Sequence, residues 1–204
     1  MARKIGFKRA FIGIIDDDLE TLVKGEDGLT DEGIFEVNAQ TSLGTLTAAI
    51  TGLAPTATKI YGSNQNVDVS QQGVGNAQMT FSANDIPAEI VYKLAGMKKD
   101  EDTKAWYQDA NTIPPKAAVV LESQDSKGNP LYFGLGKGTF GPEEVTLNTN
   151  TDTQQITTDS LTFSALQRKS DSKVYFAWQP EDEADIDDVL SVVFPESTTT
   201  TVNP

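Results

Sequence analysis

Four groups of residues carry enough chemistry to be tested against a function. They are the acidic cluster Asp16-Asp17-Asp18-Leu19-Glu20, the series Gly134-x-Gly136-x-Gly138 around Lys137, the pair Glu143-Glu144, and the aromatics Trp106, Tyr107 and Trp178. The first could offer oxygen ligands to calcium, but an EF-hand loop needs acids at alternate positions, a Gly sixth and a Glu twelfth. Thr21 and Asp27 hold those two places, so the segment reads as a solvated turn. The glycine series lacks P-loop spacing, no Ser or Thr follows its Gly-Lys pair, and no helix start follows it. It reads as a strand that bulges or approaches another backbone closely. Glu143 and Glu144 suggest a glycosidase acid and base. Adjacent strand residues point to opposite faces, so this pair cannot act across one bond. The three aromatics could stack on a sugar; such residues more often anchor a core or an interface.

The chain has neither histidine nor cysteine among its 204 residues. That excludes disulfides, thiolate nucleophiles, zinc-thiolate sites and the Ser-His-Asp triad. No catalytic, cofactor-binding or metal-ligating residue is assigned. The formal charge of −14 opposes binding to nucleic acid or to an anionic membrane. Ile, Leu, Val and Phe fill 49 of the 204 positions. That lies above the roughly 20% below which disorder is the default, so one core can form.

The elements that position these residues are mostly strands. The basic start through Arg9 precedes the apolar run Phe11 to Ile15, which Asp16-Asp17-Asp18 cuts far short of a secretory signal. The longest other apolar stretch, Ala117 to Leu121, is too short for a membrane span. A soluble, cytoplasmically made protein is expected. Strands are predicted at Lys4 to Ile15, Ile34 to Val37, Val74 to Phe81, Lys116 to Glu122, Leu131 to Leu135, Val145 to Leu147, Ile156 to Leu166 and Lys173 to Trp178.

One helix is predicted across Asn84 to Gly96, capped by Asn84 or Asp85, with Pro87 in its first turn. Ile86, Ile90 and Leu94 form its packing stripe. Between Val37 and Asn84, 48 residues carry one base, Lys59, and one acid, Asp68. So long a neutral stretch suits a hairpin or extended arm whose backbone is satisfied against something else. A mobile polar loop is the alternative. Glu181 to Asp188 holds six acids in eight residues and is expected to stay out of any core, while Leu190 to Phe194 could add a strand or dock on a neighbour. Pro195 to Pro204 reads as a disordered end.

The expected fold is mainly β: a β-sandwich or partial barrel with one flanking α-helix. Residues 1–180 make its domain, with 40–74 as a long extended loop or hairpin, and 181–204 form an acidic, Thr-rich tail.

Several segments, in order, resemble one family. Lys4-Ile5-Gly6-Phe7-Lys8-Arg9-Ala10-Phe11-Ile12 is similar to the start of the major tail proteins of long, non-contractile phage tails, the group found in phages of Gram-positive bacteria. Ile60-Tyr61-Gly62-Ser63-Asn64 and Gly73-Val74-Gly75-Asn76 resemble that family's next region. Asn84-Asp85-Ile86-Pro87-Ala88-Glu89 through Leu94-Ala95-Gly96 resembles its helix. Pro115 to Leu121, Leu131 to Phe140 and Asp159 to Ala165 resemble its later strands. Many relatives carry an appended immunoglobulin-like domain, for which the 24 residues after Pro180 are too few.

The resemblance implies a structural subunit, not an enzyme and without cofactors. It would assemble into six-fold rings stacked as a tail tube in the virion. Its partners would be further copies of itself, the tape measure, tail terminator and distal tail proteins. Double-stranded DNA would pass through the lumen without specific binding, and no membrane is involved. Ser63, Asn64, Gln65, Asn66, Gln71 and Gln72 are then the candidates for an arm that reaches the adjacent ring. The competing reading is a monomeric β-sandwich that binds a carbohydrate or a receptor on a phage or cell surface.

Overall fold

The computed structural model describes residues 4–142, 149 and 158–196. In chain order its strands are β1 (Ile5–Ile14), β2 (Ile34–Val37), β3 (Thr45–Thr51), β4 (Thr58–Gly62), β5 (Gln65–Ser70) and β6 (Gln78–Ala83). Helix α1 (Ala88–Leu94) follows, then β7 (Lys98–Lys99), β8 (Trp106–Tyr107), β9 (Ala117–Gln124) and β10 (Pro130–Phe140). The chain continues through β11 (Asp159–Ala165), β12 (Tyr175–Trp178) and α2 (Ile186–Val193). Eight strands form one antiparallel sheet, seven of them in the order β2-β1-β9-β10-β11-β6-β3 and the eighth, β12, paired with β10. The eleven-residue β10 serves two partners on one side, with Tyr132 to Leu135 against β12 and Gly138 to Phe140 against β11.

The sheet curls so that β3 comes back over β1, where the Thr45 hydroxyl donates to the Phe7 carbonyl at 2.7 Å. It does not close. A mainly β, partly open barrel results, as expected. Its interior holds Ile12 of β1, Phe81 of β6, Val119 of β9, Phe140 of β10 and Phe163 of β11. Helix α1 lies across this interior and buries Ile90 and Leu94 in it, with Ile86 buried just before the helix begins. The helix is shorter than its sequence predicts, and its cap differs. Pro87 takes the cap position without a side-chain bond, the Asp159 carboxylate accepts from the Ile86 backbone amide at 2.7 Å, and the Asn84 side-chain Nδ2 donates instead to the Leu43 carbonyl.

A second core lies on the opposite face of β1, β9 and β10. There Phe11, Ala118, Val120 and Tyr132 are covered by Val189 and Val193 of α2 and by Phe194. This corrects the expectation of a single helix, and Leu190 to Phe194 end a helix on this chain's own core in place of a strand or a dock on a neighbour. The six acids of Glu181 to Asp188 stay exposed, as expected. Asp185 caps the Asp188 amide and Asp188 answers to the Asp185 amide, so two of the acids start the helix. The chain beyond it stays attached, since the Leu22 amide donates to the Pro195 carbonyl at 2.8 Å. The predicted strand at Val145 to Leu147, the pair Glu143-Glu144 and the Thr198 to Thr201 run lie outside the described residues.

Candidate functional site

The neutral stretch after β2 does two things. Part of it supplies β3 and β6 to the main sheet; the rest leaves the sheet as a hairpin of β4 and β5. The hairpin's root is pinched. The Gly75 amide donates to the Leu53 carbonyl at 3.2 Å, and a Cβ on Gly52 would lie 1.9 Å from the Asn76 carbonyl oxygen. Only glycine fits there, and its φ of +70° would strain any other residue.

β4 and β5 pair with one another alone in the described structure. Ser63 and Asn64, at φ of 51° and 62°, make the two-residue turn. Successive left-handed residues match the twist of a tight hairpin, and asparagine tolerates that conformation well. Along the hairpin Ile60, Tyr61, Val67 and Val69 are exposed, Tyr61 by 67% and Val67 by 63%. A lone two-stranded hairpin is marginally stable in water, and exposed apolar clusters mark contact surfaces.

Ser63 and Asn64 therefore form the tip, and Gln65 and Asn66 begin the returning strand. Gln71 and Gln72 lie past β5 toward the root, where the Gln71 side chain donates to the Pro55 carbonyl at 3.2 Å. Of the six candidates, only Ser63 and Asn64 make the turn itself. Ile86, Ile90 and Leu94 belong to the scaffold under α1, away from the arm.

Other expected groups occupy structural places. Gly134 faces Val193 of α2 and Gly138 faces Phe163, each too close for a side chain, and the β9–β10 register shifts between Leu135 and Gly138. Trp178 stacks on Phe176 within the second core, whereas Trp106 packs against Tyr92 beside α1. The two tryptophans do not share a platform.

Lys137 and Glu20 form a centre that sequence reading missed. Their side chains are 3% and 4% exposed and meet at 2.8 Å. Glu20 also accepts from the Lys169 amide at 2.7 Å and from the Ser170 amide and hydroxyl at 3.0 and 2.7 Å. The acidic segment is thus not wholly solvated: its last residue ties the first turn to β10 and to the loop after β11. Burial pushes the Glu20 carboxyl up, but the Lys137 ammonium, the two amides and the Ser170 hydroxyl outweigh it and hold the group at about 2. Burial pushes Lys137 down, and its bonds to Glu20 and Asp17 raise it above the usual lysine value. Lys137 is buried where the β9–β10 register shifts, so the alternation of Phe133 and Leu135 toward the core does not extend to it. A buried cation demands a carboxylate, which was the available signal; which carboxylate was not legible.

Arg168 plays a similar part at α2. It donates to the Val192 carbonyl at 2.8 Å in the helix's last turn and grips Asp171 with two bonds. Among the described residues no group of three or more His, Cys, Asp or Glu is placed to hold a metal ion, and no helix is long and apolar enough to cross a membrane.

A model of the phage tail tube protein family matches residues 1–202. Among solved structures, one chain of the anti-feeding prophage (AFP) baseplate, determined by cryo-EM with 6-fold symmetrisation, is similar at a TM-score of 0.49 and 9% identity. The likeness covers 89% of this chain and 99% of that one. No curated protein matches. With nearly its whole length matched, the chain belongs to the phage tail tube protein family, a family of structural tail proteins and not of enzymes.

Proposed function

We propose that this subunit builds the tube of a long phage tail as stacked six-membered rings that conduct DNA during ejection. The projecting hairpin carries the reading. Its exposed apolar residues and free backbone edges have no use in an isolated subunit and fit a contact between rings. Head-to-tail contacts of this kind propagate along an axis, while a separate lateral contact closes each ring. The few charges on the hairpin keep the desolvation cost of covering it low. The charge of −14 per copy favours a lumen along which DNA slides without sticking. In this reading the protein is made in the host cytoplasm and joins the tape measure, terminator and distal tail proteins in the virion.

Negative-stain electron microscopy of concentrated protein, with sedimentation, tests it. Hollow tubes or rings with six-fold end views are expected. A strict monomer at every salt and protein concentration, even with a tail initiator complex added, overturns it.

A further inference from the structure

We propose that the open end of the curled sheet is the seat that receives the hairpin of a second copy. The inference rests on the stacked-tube reading and adds where the arm lands. β3 ends the sheet path, and its outer edge pairs with no described strand. Beside it lies a cavity of about 310 Å³, walled by Phe7, Ala48, Ile50, Leu53, Phe133 and Tyr175. The cavity is where the barrel fails to close.

The edge invites a strand. Its seven residues, Thr45-Leu46-Thr47-Ala48-Ala49-Ile50-Thr51, contain no charge and no proline. Soluble proteins guard bare edges of this kind with charge, proline or a cover. Strand addition satisfies the edge's backbone while side chains fill the adjoining apolar groove.

The hairpin of another copy fits that description. β4 and β5 each keep one free edge, of five and six residues, and carry the exposed apolar Ile60, Val67 and Val69. The hairpin carries one base, Lys59, and one acid, Asp68, and the acid can meet a cation at the seat. Lys4 lines the cavity, its ammonium 4.5 Å from the Phe133 ring centre, and makes no ion pair among the described residues. Asp68 on the hairpin likewise makes none. Glu122, the acid at the cavity, is already held by Lys8 and Arg9 and does not repel Asp68 through an unpaired charge.

A copy's own hairpin does not fill its seat. Leu53 belongs both to the cavity wall and to the pinched root, so the hairpin starts at the seat, and neither β4 nor β5 pairs with β3 among the described residues. Each copy thus offers one seat and one arm that starts beside it. Such contacts are heterologous, and repetition extends them without limit.

The cysteine-free chain allows a direct test. An Ala48→Cys/Val67→Cys double variant, treated with a short bismaleimide during assembly, is expected to give a ladder of covalent oligomers, with the single variants giving none. Tubes without a ladder overturn the seat and leave the tube reading standing. Wild-type protein that forms no tubes, together with no ladder, overturns both. If the cysteine pair itself stops assembly, a synthetic peptide of residues 56–72 added to the wild-type protein is expected to slow tube growth several-fold. Unchanged growth overturns the seat.

Discussion

The Lys137 ammonium lies 2.8 Å from a carboxylate oxygen of Glu20, residues 117 positions apart in the chain. Around this bond three segments converge: the turn after β1, the second half of β10 and the loop after β11. Removing one partner alone leaves an uncompensated buried charge, which costs about 3–5 kcal/mol. Lys137→Met is expected to destabilise the subunit by that amount in urea denaturation. Lys137→Met with Glu20→Leu should recover much of the loss. A single variant as stable as wild type would mean that water reaches the pair.

The same bond makes stability pH-dependent. Glu20 is held at about 2 in the folded chain, against 4.5 as its ordinary value. The folded state therefore binds fewer protons, so this contribution is present above about pH 4.5 and is lost as pH falls toward 2. It amounts to about 3 kcal/mol. Urea midpoints from pH 6 to 2 check it. Glu20→Gln should flatten that part of the profile.

Leu94 is 1% exposed and is the last residue of the α1 stripe. Leu94→Ala is expected to cost about 2–5 kcal/mol. A calorimetric scan showing no change would mean that α1 does not rest on the core.

Phe194 fixes the second core and is 2% exposed. Phe194→Ala should cost about 3–5 kcal/mol and loosen α2. Binding of a hydrophobic dye by the variant, as Phe11, Val120 and Tyr132 lose their cover, is the accompanying sign.

Replacing residues 56–72 with a short Gly-Ser linker should leave the melting temperature of the subunit nearly unchanged, because among the described residues β4 and β5 pair only with each other. Tube formation should cease. Normal tubes from that variant would remove the hairpin from the assembly.

Sequence pattern made some of this legible and concealed the rest for identifiable reasons. The alternation in Ser160-Leu161-Thr162-Phe163-Ser164 read correctly as a half-buried strand, since one face meets the core and the other water. The run Ala117-Ala118-Val119-Val120-Leu121 read as a strand too, but its lack of alternation carried a further message. A strand apolar on both sides needs covering on both sides. The second cover was present in Ile186, Val189, Leu190 and Val193, at helical spacing, but masked by the acids around them. The hairpin was visible as missing charge. Its tip was not, because a Ser-Asn turn is a weaker hairpin signal than Asn-Gly. The Glu20–Lys137 bond joins distant segments and so left no local pattern.

Because β9 is buried between both cores and bonded to neighbours on each edge, its amides should be the last in the subunit to exchange with deuterium. Those of β4 and β5 should be among the first. Assembly will then write its signature almost wholly at the fast end of that scale. A tube will differ from its free subunit not by a stiffer interior but by the silence of a hairpin that had been exchanging freely.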